Sequence, residues 1–317
     1  MVVSRYAELI APGEFVLRSE ELSHTADQLL IRITACGMCQ YDGVYYKGIV
    51  GETPTRIGHE PVGLVEAVGD NVTGFNVGDR VTGLFAYLRA FAEYGLAESS
   101  QLVKVPEQIP LELALGEPLK CIGTILRAAQ PELGDHVLVM GCGFMGLLTL
   151  AGLVGAAPAS LIAVDIQPKR LALARSVGAT HTLNAAAPDF LAQVEAITGG
   201  HGVDLAFEVT SSALAVELAA KTMRRGRGRY VLAGWHGEPD TYTLRNFTTK
   251  GTTVLSAHPS FSLDEMDDMR RALEGLYRGV FPMEQLITHR FPLEEIQTAF
   301  EIMADGRDGY IKGIIVP

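Results

Sequence analysis

Val137-Leu-Val-Met-Gly-Cys-Gly-Phe-Met-Gly146 is the stretch of sequence that decides the fold of this chain. Its apolar beginning predicts a buried strand, and its three glycines predict a tight turn into a helix. Such a turn lets backbone amides approach a pyrophosphate, which the positive N-terminal end of the helix also attracts. Asp165 ends the next predicted strand, about twenty residues later, where a carboxylate accepts ribose hydroxyls and repels a 2′-phosphate. The stretch therefore predicts a dinucleotide-binding unit that prefers NAD to NADP.

The predicted cofactor site extends beyond the glycine turn. A glycine triplet alone can be a simple strand-to-helix turn, but here the strand, the helix and the acid accompany it. Lys169 and Arg170 either brace the adenosine side or are solvated residues of a first helical turn. Two strand ends face the cofactor, where backbone contacts with the nicotinamide half are expected although the sequence does not require them. The full predicted set is Gly141, Gly143, Phe144, Met145, Gly146, Asp165, Lys169, Arg170, Ala233, Gly234, Ser256 and Ala257.

Two kinds of pattern divide the chain into two domains. From about Glu117, strands and helices alternate, which predicts a doubly wound parallel sheet of the α/β class. The first hundred residues instead contain short β-type segments between glycine and aspartate turns, which predicts a β-rich domain. The tail is expected to return to that first domain and to leave the active site in the cleft between the two. The predicted domains are residues 1–118 with 259–317, and residues 119–258.

Composition excludes several classes of function. The 317 residues, 48% of them hydrophobic, exceed what one ordinary domain usually holds. A net charge of -11 disfavours binding to nucleic acid or to an anionic membrane. The run from 137 to 164 has no charge and mimics a membrane span, but six interruptions by glycine or proline favour a buried strand, turn and helix. Without a secretory signal or a disulfide framework, the sequence predicts a reduced, cytoplasmic protein.

Cys39 and the triplet Gly58-His59-Glu60 form the second informative pattern. Thiolate, imidazole and carboxylate are the ligand types of a catalytic zinc, which needs about three protein ligands and an open position. Cys36 and Cys39 also look like half of a structural zinc knuckle, but the second cysteine pair is missing. Spacing alone leaves open that these residues only pack in a β-rich segment or lie on its surface.

Motifs along nearly the whole chain resemble those of the zinc-containing medium-chain dehydrogenase/reductase family. The resemblance implies an N-terminal GroES-like β domain, a Rossmann domain, one catalytic zinc and NAD(P)-linked oxidation of alcohols. The motifs are Cys36-Gly-Met-Cys39-Gln-Tyr-Asp42, Gly58-His59-Glu60-Pro-Val-Gly63, Val77-Gly-Asp-Arg-Val81, Glu117-Pro-Leu119, the glycine turn and Val203-Asp-Leu-Ala-Phe-Glu208.

The same resemblance implies roles for individual residues at the metal. It makes Cys39 and His59 zinc ligands and Glu60 an acid that binds or flanks the metal, and it leaves Cys36 as a packing residue. The Glu-Pro-Leu segment is similar to that of sorbitol and polyol dehydrogenases, which implies that Glu117 is the fourth residue of the metal site.

Two departures from the family pattern affect this interpretation. Tyr41 and Val44 stand where much of the family has a serine or threonine and a histidine that relay the alcohol proton. Either the phenol of Tyr41 replaces the relay, or the proton leaves through water and Glu60 or Glu117, or the reaction is not ordinary alcohol oxidation. If Tyr41 takes no part in proton transfer, it only lines the pocket. The four-cysteine lobe of many relatives is also missing, so no structural zinc is expected.

We therefore predict a zinc-dependent oxidoreductase that transfers hydride between NAD(H) and a secondary alcohol or polyol, with Cys39, His59, Glu60 and Tyr41 as catalytic residues. Tyr45 and Tyr46 add polar aromatic groups near the metal, and several substrate hydroxyls need several partners. One alternative is a zinc-free quinone or enoyl reductase, and another is a dinucleotide-binding protein without catalysis. The resemblance also implies a homo-oligomer, a dimer or tetramer, with an exposed strand edge near 252–256.

Overall fold

The computed structural model describes residues 1–237 and 239–317, which form two compact units. The first unit comprises residues 1–120, 266–279 and 283–317, and the second comprises residues 121–265 and 280–282. Residues 259–265, which were predicted to lie in the first domain, therefore belong to the second unit. The chain returns to the first unit at Met266, one residue after a long helix begins at Glu265. Residues 280–282 stay with the second unit because Phe281 is buried there beside Gly152.

The strands of the described residues fall into three sheets. In chain order they are β1 Val2–Ala11, β2 Glu14–Leu22, β3 Leu29–Gly37, β4 Glu60–Val68, β5 Arg80–Gly83, β6 Tyr94–Ala97, β7 Leu102–Lys104, β8 His136–Met140, β9 Ser160–Asp165, β10 His181–Asn184, β11 Leu205–Glu208, β12 Arg229–Leu232, β13 Thr253–Ser256, β14 Ile287–Pro292 and β15 Lys312–Val316.

Ten α-helices lie in the described part of the chain, and short 3₁₀ turns adjoin several of them. In chain order they are α1 Gln40–Tyr46, α2 Gly116–Ala129, α3 Phe144–Leu153, α4 Pro168–Ser176, α5 Phe190–Ile197, α6 Ala213–Thr222, α7 Arg245–Thr248, α8 Glu265–Tyr277, α9 Met283–Leu286 and α10 Ile296–Asp305.

The first unit is β-rich, as its short β-type segments predict. A seven-stranded sheet runs in the order β14-β15-β3-β4-β5-β7, with β6 paired to β3, and β1 and β2 form a separate antiparallel hairpin. Strand β3 turns one face to the apolar core, where the alternate residues Leu29, Ile31 and Ile33 are buried, while Arg32 on the other face is exposed. Its carboxyl end leads into α1, and the amino end of β4 lies beside it. These two strand ends position the predicted metal ligands.

The second unit contains the parallel sheet that the alternating pattern predicts. Six strands lie in the order β10-β9-β8-β11-β12-β13, and every neighbouring pair is parallel. Strands β8 and β9 are almost fully apolar because helices cover the sheet. The chain crosses from the β9 side of β8 to the β11 side, so the switch point lies where β8 ends, which is where such sheets bind dinucleotides.

The uncharged run from 137 to 164 divides into β8, α3, a 3₁₀ turn and β9. This confirms the predicted strand, turn and helix. None of the helices in the described part of the chain is long and apolar enough to cross a membrane.

Candidate active site

Cys39 lies at the N-cap of α1, directly after the carboxyl end of β3. Its Sγ accepts a hydrogen bond from the backbone amide of Tyr41 at 3.5 Å, and its own amide donates to Asp42 Oδ2 at 3.0 Å. The two contacts form a reciprocal capping arrangement in which a thiol replaces the usual hydroxyl. The cap fixes the direction of the thiol before any metal arrives.

His59 is held from behind by the same aspartate. Asp42 Oδ1 accepts a hydrogen bond from the amide of Gly58 at 3.0 Å and lies 3.1 Å from His59 Nδ1. Gly58 has a φ of +97°, and a Cβ there would lie 2.8 Å from the backbone nitrogen of Phe91, so this turn requires glycine. Because Nδ1 faces the buried Asp42, Nε2 is the nitrogen left to bind a metal.

Glu60 is the first residue of β4, and its carboxylate is buried. Lys312 Nζ, also buried, donates a hydrogen bond to Oε1 at 2.7 Å and lies 2.6 Å from Oε2 without the alignment of a hydrogen bond. Within the described part of the chain, Oε2 is therefore a buried oxygen that has the charge of Lys312 beside it but accepts no hydrogen bond. A Cβ at Gly37 would lie only 2.0 Å from it, so the glycine leaves space for the carboxylate.

The three predicted ligands converge. One ligand atom from each of Cys39, His59 and Glu60 lies within 4.8 Å of the other two. Ligands of one tetrahedral zinc stand about 3.5 Å apart, so small side-chain movements would bring these atoms into its shell. The donor set fits a zinc ion, and so does the Glu60 oxygen that takes part in no hydrogen bond among the described residues.

The electrostatics of the cluster are those of buried groups that need a compensating cation. Burial raises the pKa of the Cys39 thiol, although His59 opposes that effect. Burial also raises the pKa of Glu60, and Lys312 opposes it. For His59, burial lowers the pKa, but the contributions of Asp42 and Cys39 raise it by a larger amount. The net shift of the His59 pKa is therefore upward. Zinc binding must therefore displace protons, and the site should bind zinc less tightly as the pH falls.

Glu117 lies near the cluster but outside the group of three. Its carboxylate is mostly buried in α2 and lies 3.5 Å from the buried Lys120 Nζ. Its charge contributes to the raised pKa of Glu60, which indicates proximity. Glu117 remains a predicted fourth residue, at the metal directly or through water.

Tyrosine rings surround His59. The Tyr41 ring lies 6.1 Å from the imidazole and 5.4 Å from the ring of Tyr45, edge-on in both cases. Tyr87, which no sequence motif indicated, lies 6.0 Å from the imidazole. Tyr46, which was predicted near the metal, instead packs in the apolar core against Phe300. Its hydroxyl accepts a hydrogen bond from the side-chain amide of Gln297.

The glycine turn joins β8 to α3 as predicted. Gly141 has a φ of +103°, and a Cβ there would lie 2.7 Å from Thr210 Cγ2. A Cβ at Gly146 would lie 1.9 Å from the carbonyl oxygen of Gly141, so the helix can begin close to the turn only with glycine. Gly143 is the N-cap, and Phe144 and Met145 are the first two residues of α3.

Asp165 ends β9 beside this turn. Its carboxylate accepts hydrogen bonds from the amides of Cys142 and Gln167, both at 2.8 Å, and lies 4.0 Å from Arg170 Nη1. Arg170 is thus the nearby cation, whereas Lys169 is exposed.

The two other predicted cofactor segments follow neighbouring strands. Ala233 and Gly234 directly follow β12, and both amides donate to the carbonyl of Glu208 at 2.9 Å. Ser256 ends β13, and the amide of the buried Ala257 donates to the carbonyl of Leu232 at 2.8 Å. All these residues lie at the carboxyl edge of the parallel sheet.

Asp42, Lys312 and Tyr87 are the site residues that sequence reasoning missed. The acid three residues after the N-cap cysteine was a usable indication of a capping box. No sequence pattern indicated Lys312, because only the tertiary fold brings β15 to Glu60.

Two family models match the chain. Residues 25–107 match the alcohol dehydrogenase GroES-like domain, and residues 145–274 match the zinc-binding dehydrogenase domain. Together they confirm the predicted pairing of a GroES-like domain with a Rossmann domain.

Individual proteins match over nearly their full lengths. An erythritol/L-threitol dehydrogenase of Mycolicibacterium smegmatis is 30% identical, with 100% of this chain and 99% of that protein covered. A sorbitol dehydrogenase of Bacillus subtilis is 28% identical, with 92% and 90% covered. Among solved structures, an oxidoreductase/dehydrogenase of unknown specificity from Escherichia coli superposes with a TM-score of 0.90 at 25% identity, with 99% of each chain covered.

Proposed function

The chain belongs to the family of zinc-binding dehydrogenases with an alcohol dehydrogenase GroES-like domain, and we propose that it oxidises a secondary alcohol or polyol with one zinc and NAD. The observation that carries the proposal is the convergence of Cys39, His59 and Glu60 in the unit that matches the GroES-like domain. A zinc-free reductase has no use for this donor set.

In this proposal Cys39, His59 and Glu60 hold the zinc, and Glu117 completes the site directly or through water. A bound zinc would supply a Lewis acid that lowers the pKa of the substrate hydroxyl. Asp42 keeps His59 in the tautomer whose Nε2 faces the site. Lys312 neutralises part of the charge on Glu60 and holds its carboxylate toward the cluster.

The substrate class rests on the phenols around the site. Tyr41, Tyr45 and Tyr87 offer several hydroxyl groups, which suits a substrate with more than one hydroxyl of its own. The relatives named for erythritol, threitol and sorbitol support the same class.

The direct test is a zinc determination followed by an alcohol screen. Protein purified without chelator or added metal should contain about one zinc per chain by elemental mass spectrometry, which fits one open site. Erythritol, threitol, sorbitol and butane-2,3-diol with NAD should then give NADH. Zinc-free protein that stays inactive after zinc is restored, but consumes NADPH with quinones or enones, would contradict the proposal.

Tyr41→Phe tests the proton path. We propose that Tyr41 passes the alcohol proton toward solvent, so its loss should lower kcat about 10²-fold. Burial raises the pKa of Tyr45 to about 12, with a further contribution from its hydrogen bond to Tyr41, so Tyr45 stays protonated and cannot replace it as a base. The measurement is kcat as a function of pH, with alcohol and NAD both at saturation.

Tyr46→Phe is the matched control for that variant. It removes a phenol from the same helix, but one that binds Gln297 rather than facing His59. Its kcat profile should follow the wild type. Equal profiles for Tyr41→Phe and wild type would make Tyr41 a wall of the pocket.

Asp165→Asn tests the cofactor preference. The carboxylate repels a 2′-phosphate, and Arg170 at 4.0 Å would attract one once the acid is neutral. The ratio of kcat/KM for NAD to that for NADP should therefore fall about 10²-fold, as measured with one alcohol at saturation. Arg170→Gln in the same background should remove the gain with NADP. An unchanged ratio would mean that another residue selects the cofactor.

We propose further that the chain forms a homo-oligomer, a dimer or tetramer, through the free edge of β13. Among the described residues this strand has a neighbouring strand on one side only, and Val254 is exposed on it, so the other side offers backbone groups for pairing and apolar surface. All four cysteines are outside disulfide bonds, which supports a reducing compartment, in keeping with the predicted cytoplasmic location.

A further inference from the structure

Glu208 is a buried carboxylate at the cofactor edge of the sheet that the proposed chemistry does not use. It ends β11, and its side chain is fully buried. Oε1 accepts hydrogen bonds from the amide of Thr210 at 2.7 Å and from its hydroxyl at 2.5 Å. Oε2 faces His236 Nε2 at 2.8 Å. A buried carboxylate is unfavourable without partners, so these contacts define its place in the fold.

His236 completes a chain of hydrogen bonds that starts at Tyr242. One neutral tautomer satisfies both contacts of the imidazole: Nε2–H donates to Glu208, and Nδ1 accepts from the Tyr242 hydroxyl at 3.3 Å. The same ring stands edge-on to the Tyr242 ring at 6.3 Å. His236 follows β12, so this series of hydrogen bonds connects the segment after β12 with the end of β11.

Thr210, which Glu208 holds, separates two segments of the proposed cofactor site. On one side its methyl group touches the glycine turn, since a Cβ at Gly141 would lie 2.7 Å from Thr210 Cγ2. On the other side a Cβ at Gly234 would lie 1.8 Å from the Thr210 carbonyl and 2.8 Å from Glu208 Oε2. A shift of Thr210 would therefore move both segments relative to each other.

We propose that His236 and Glu208 are positioning residues for the dinucleotide: they fix Thr210 and thereby the distance between the glycine turn and the segment at Ala233 and Gly234. The inference rests on the proposed function, because that function supplies the dinucleotide. The pair acts on the nicotinamide half, whereas Asp165 serves the adenosine half.

The test compares the binding of NADH and AMP to His236→Ala in the full, zinc-loaded protein. Trp235 is the single tryptophan of the chain and adjoins His236, so energy transfer to NADH reports binding directly. We expect the Kd of NADH to rise about tenfold through loss of a charge-assisted hydrogen bond, while the Kd of AMP, measured by calorimetry, stays unchanged. His236→Gln, whose amide can donate to Glu208, should restore NADH affinity to within about threefold of wild type.

Two further variants keep the inference falsifiable. His201→Ala removes an exposed histidine from the same unit and should change neither Kd. If His236→Ala does not fold, Tyr242→Phe removes only the outer hydrogen bond and should raise the Kd of NADH about threefold with AMP unaffected. Unchanged NADH affinity in the His236 or Tyr242 variant, or an equal loss of NADH and AMP affinity, would overturn the inference.

Failure of the proposed function would look different. In that case the wild type would bind NADH but oxidise no alcohol with NAD. The split between NADH and AMP is a binding measurement, so it decides the role of His236 without any turnover.

Discussion

Cys39→Ser should abolish tight zinc binding and lower kcat/KM for alcohol oxidation by about 10³-fold. Serine keeps the N-cap hydrogen bond to the Tyr41 amide, so α1 should still form. It cannot supply a thiolate, so His59, Glu60 and Glu117 would have to hold the zinc without its one sulfur ligand. Lewis-acid catalysis contributes several kcal/mol, and each 1.36 kcal/mol is a factor of ten. The measurements are zinc per chain by elemental mass spectrometry and steady-state kinetics with NAD.

Cys36→Ala is the matched control within the same Cys-x-x-Cys segment. Cys36 lies in the apolar core, and burial raises the pKa of its thiol well above the usual value, so it stays protonated. The variant should lose about 1 kcal/mol of unfolding free energy and keep its zinc and its activity. If instead Cys36→Ala loses the metal and Cys39→Ser retains it, the two cysteines have been assigned in the wrong order.

The contrast between these cysteines shows what the sequence could and could not predict about the site. Spacing alone left Cys36 and Cys39 equivalent, and the family resemblance separated them. The fold gives the physical reason: Cys36 still belongs to the apolar β3, whereas Cys39 lies past its end, at a helix cap. The residues that hold the ligands in place were harder to predict from the sequence, because Asp42 contacts His59 and Lys312 contacts Glu60 only after the chain has folded.

The fold was more predictable where the residue pattern was regular. The buried strand predicted in the apolar residues before the glycine turn is β8, because that turn marks its end clearly. The hairpin of β1 and β2 was not identified, since both strands are half exposed and carry charges such as Arg5, Glu8 and Arg18 that obscure any alternation. The same ambiguity applies to α1, where Gly43 and three tyrosines give little helical preference and the Cys39 cap sets the start.

Lys312→Met should destabilise the zinc-free protein by about 3–5 kcal/mol, because it removes the cation from a fully buried carboxylate. Lys312 now opposes the effect of burial on Glu60, so its loss should raise the pKa of that carboxyl further. The folded state of the variant then binds a proton that the unfolded chain releases, so its stability falls as the pH rises from the ordinary pKa of glutamate up to the raised pKa of the folded state. The penalty should be small near pH 4 and much larger at neutral pH, as measured by urea unfolding at both.

Two companion measurements separate the charge from the packing. Glu60→Gln in the Lys312→Met background removes the uncompensated charge and should recover most of the lost stability, but not the activity, since a zinc ligand is then gone. Zinc added to Lys312→Met should recover stability as well, because the metal supplies the missing positive charge next to Glu60. A Lys312→Met penalty that is independent of pH and persists in the double variant would assign Lys312 a packing role. Recovery by both routes would mean that Glu60 needs a cation from one side or the other, which is the property expected of a carboxylate poised between a lysine and a metal.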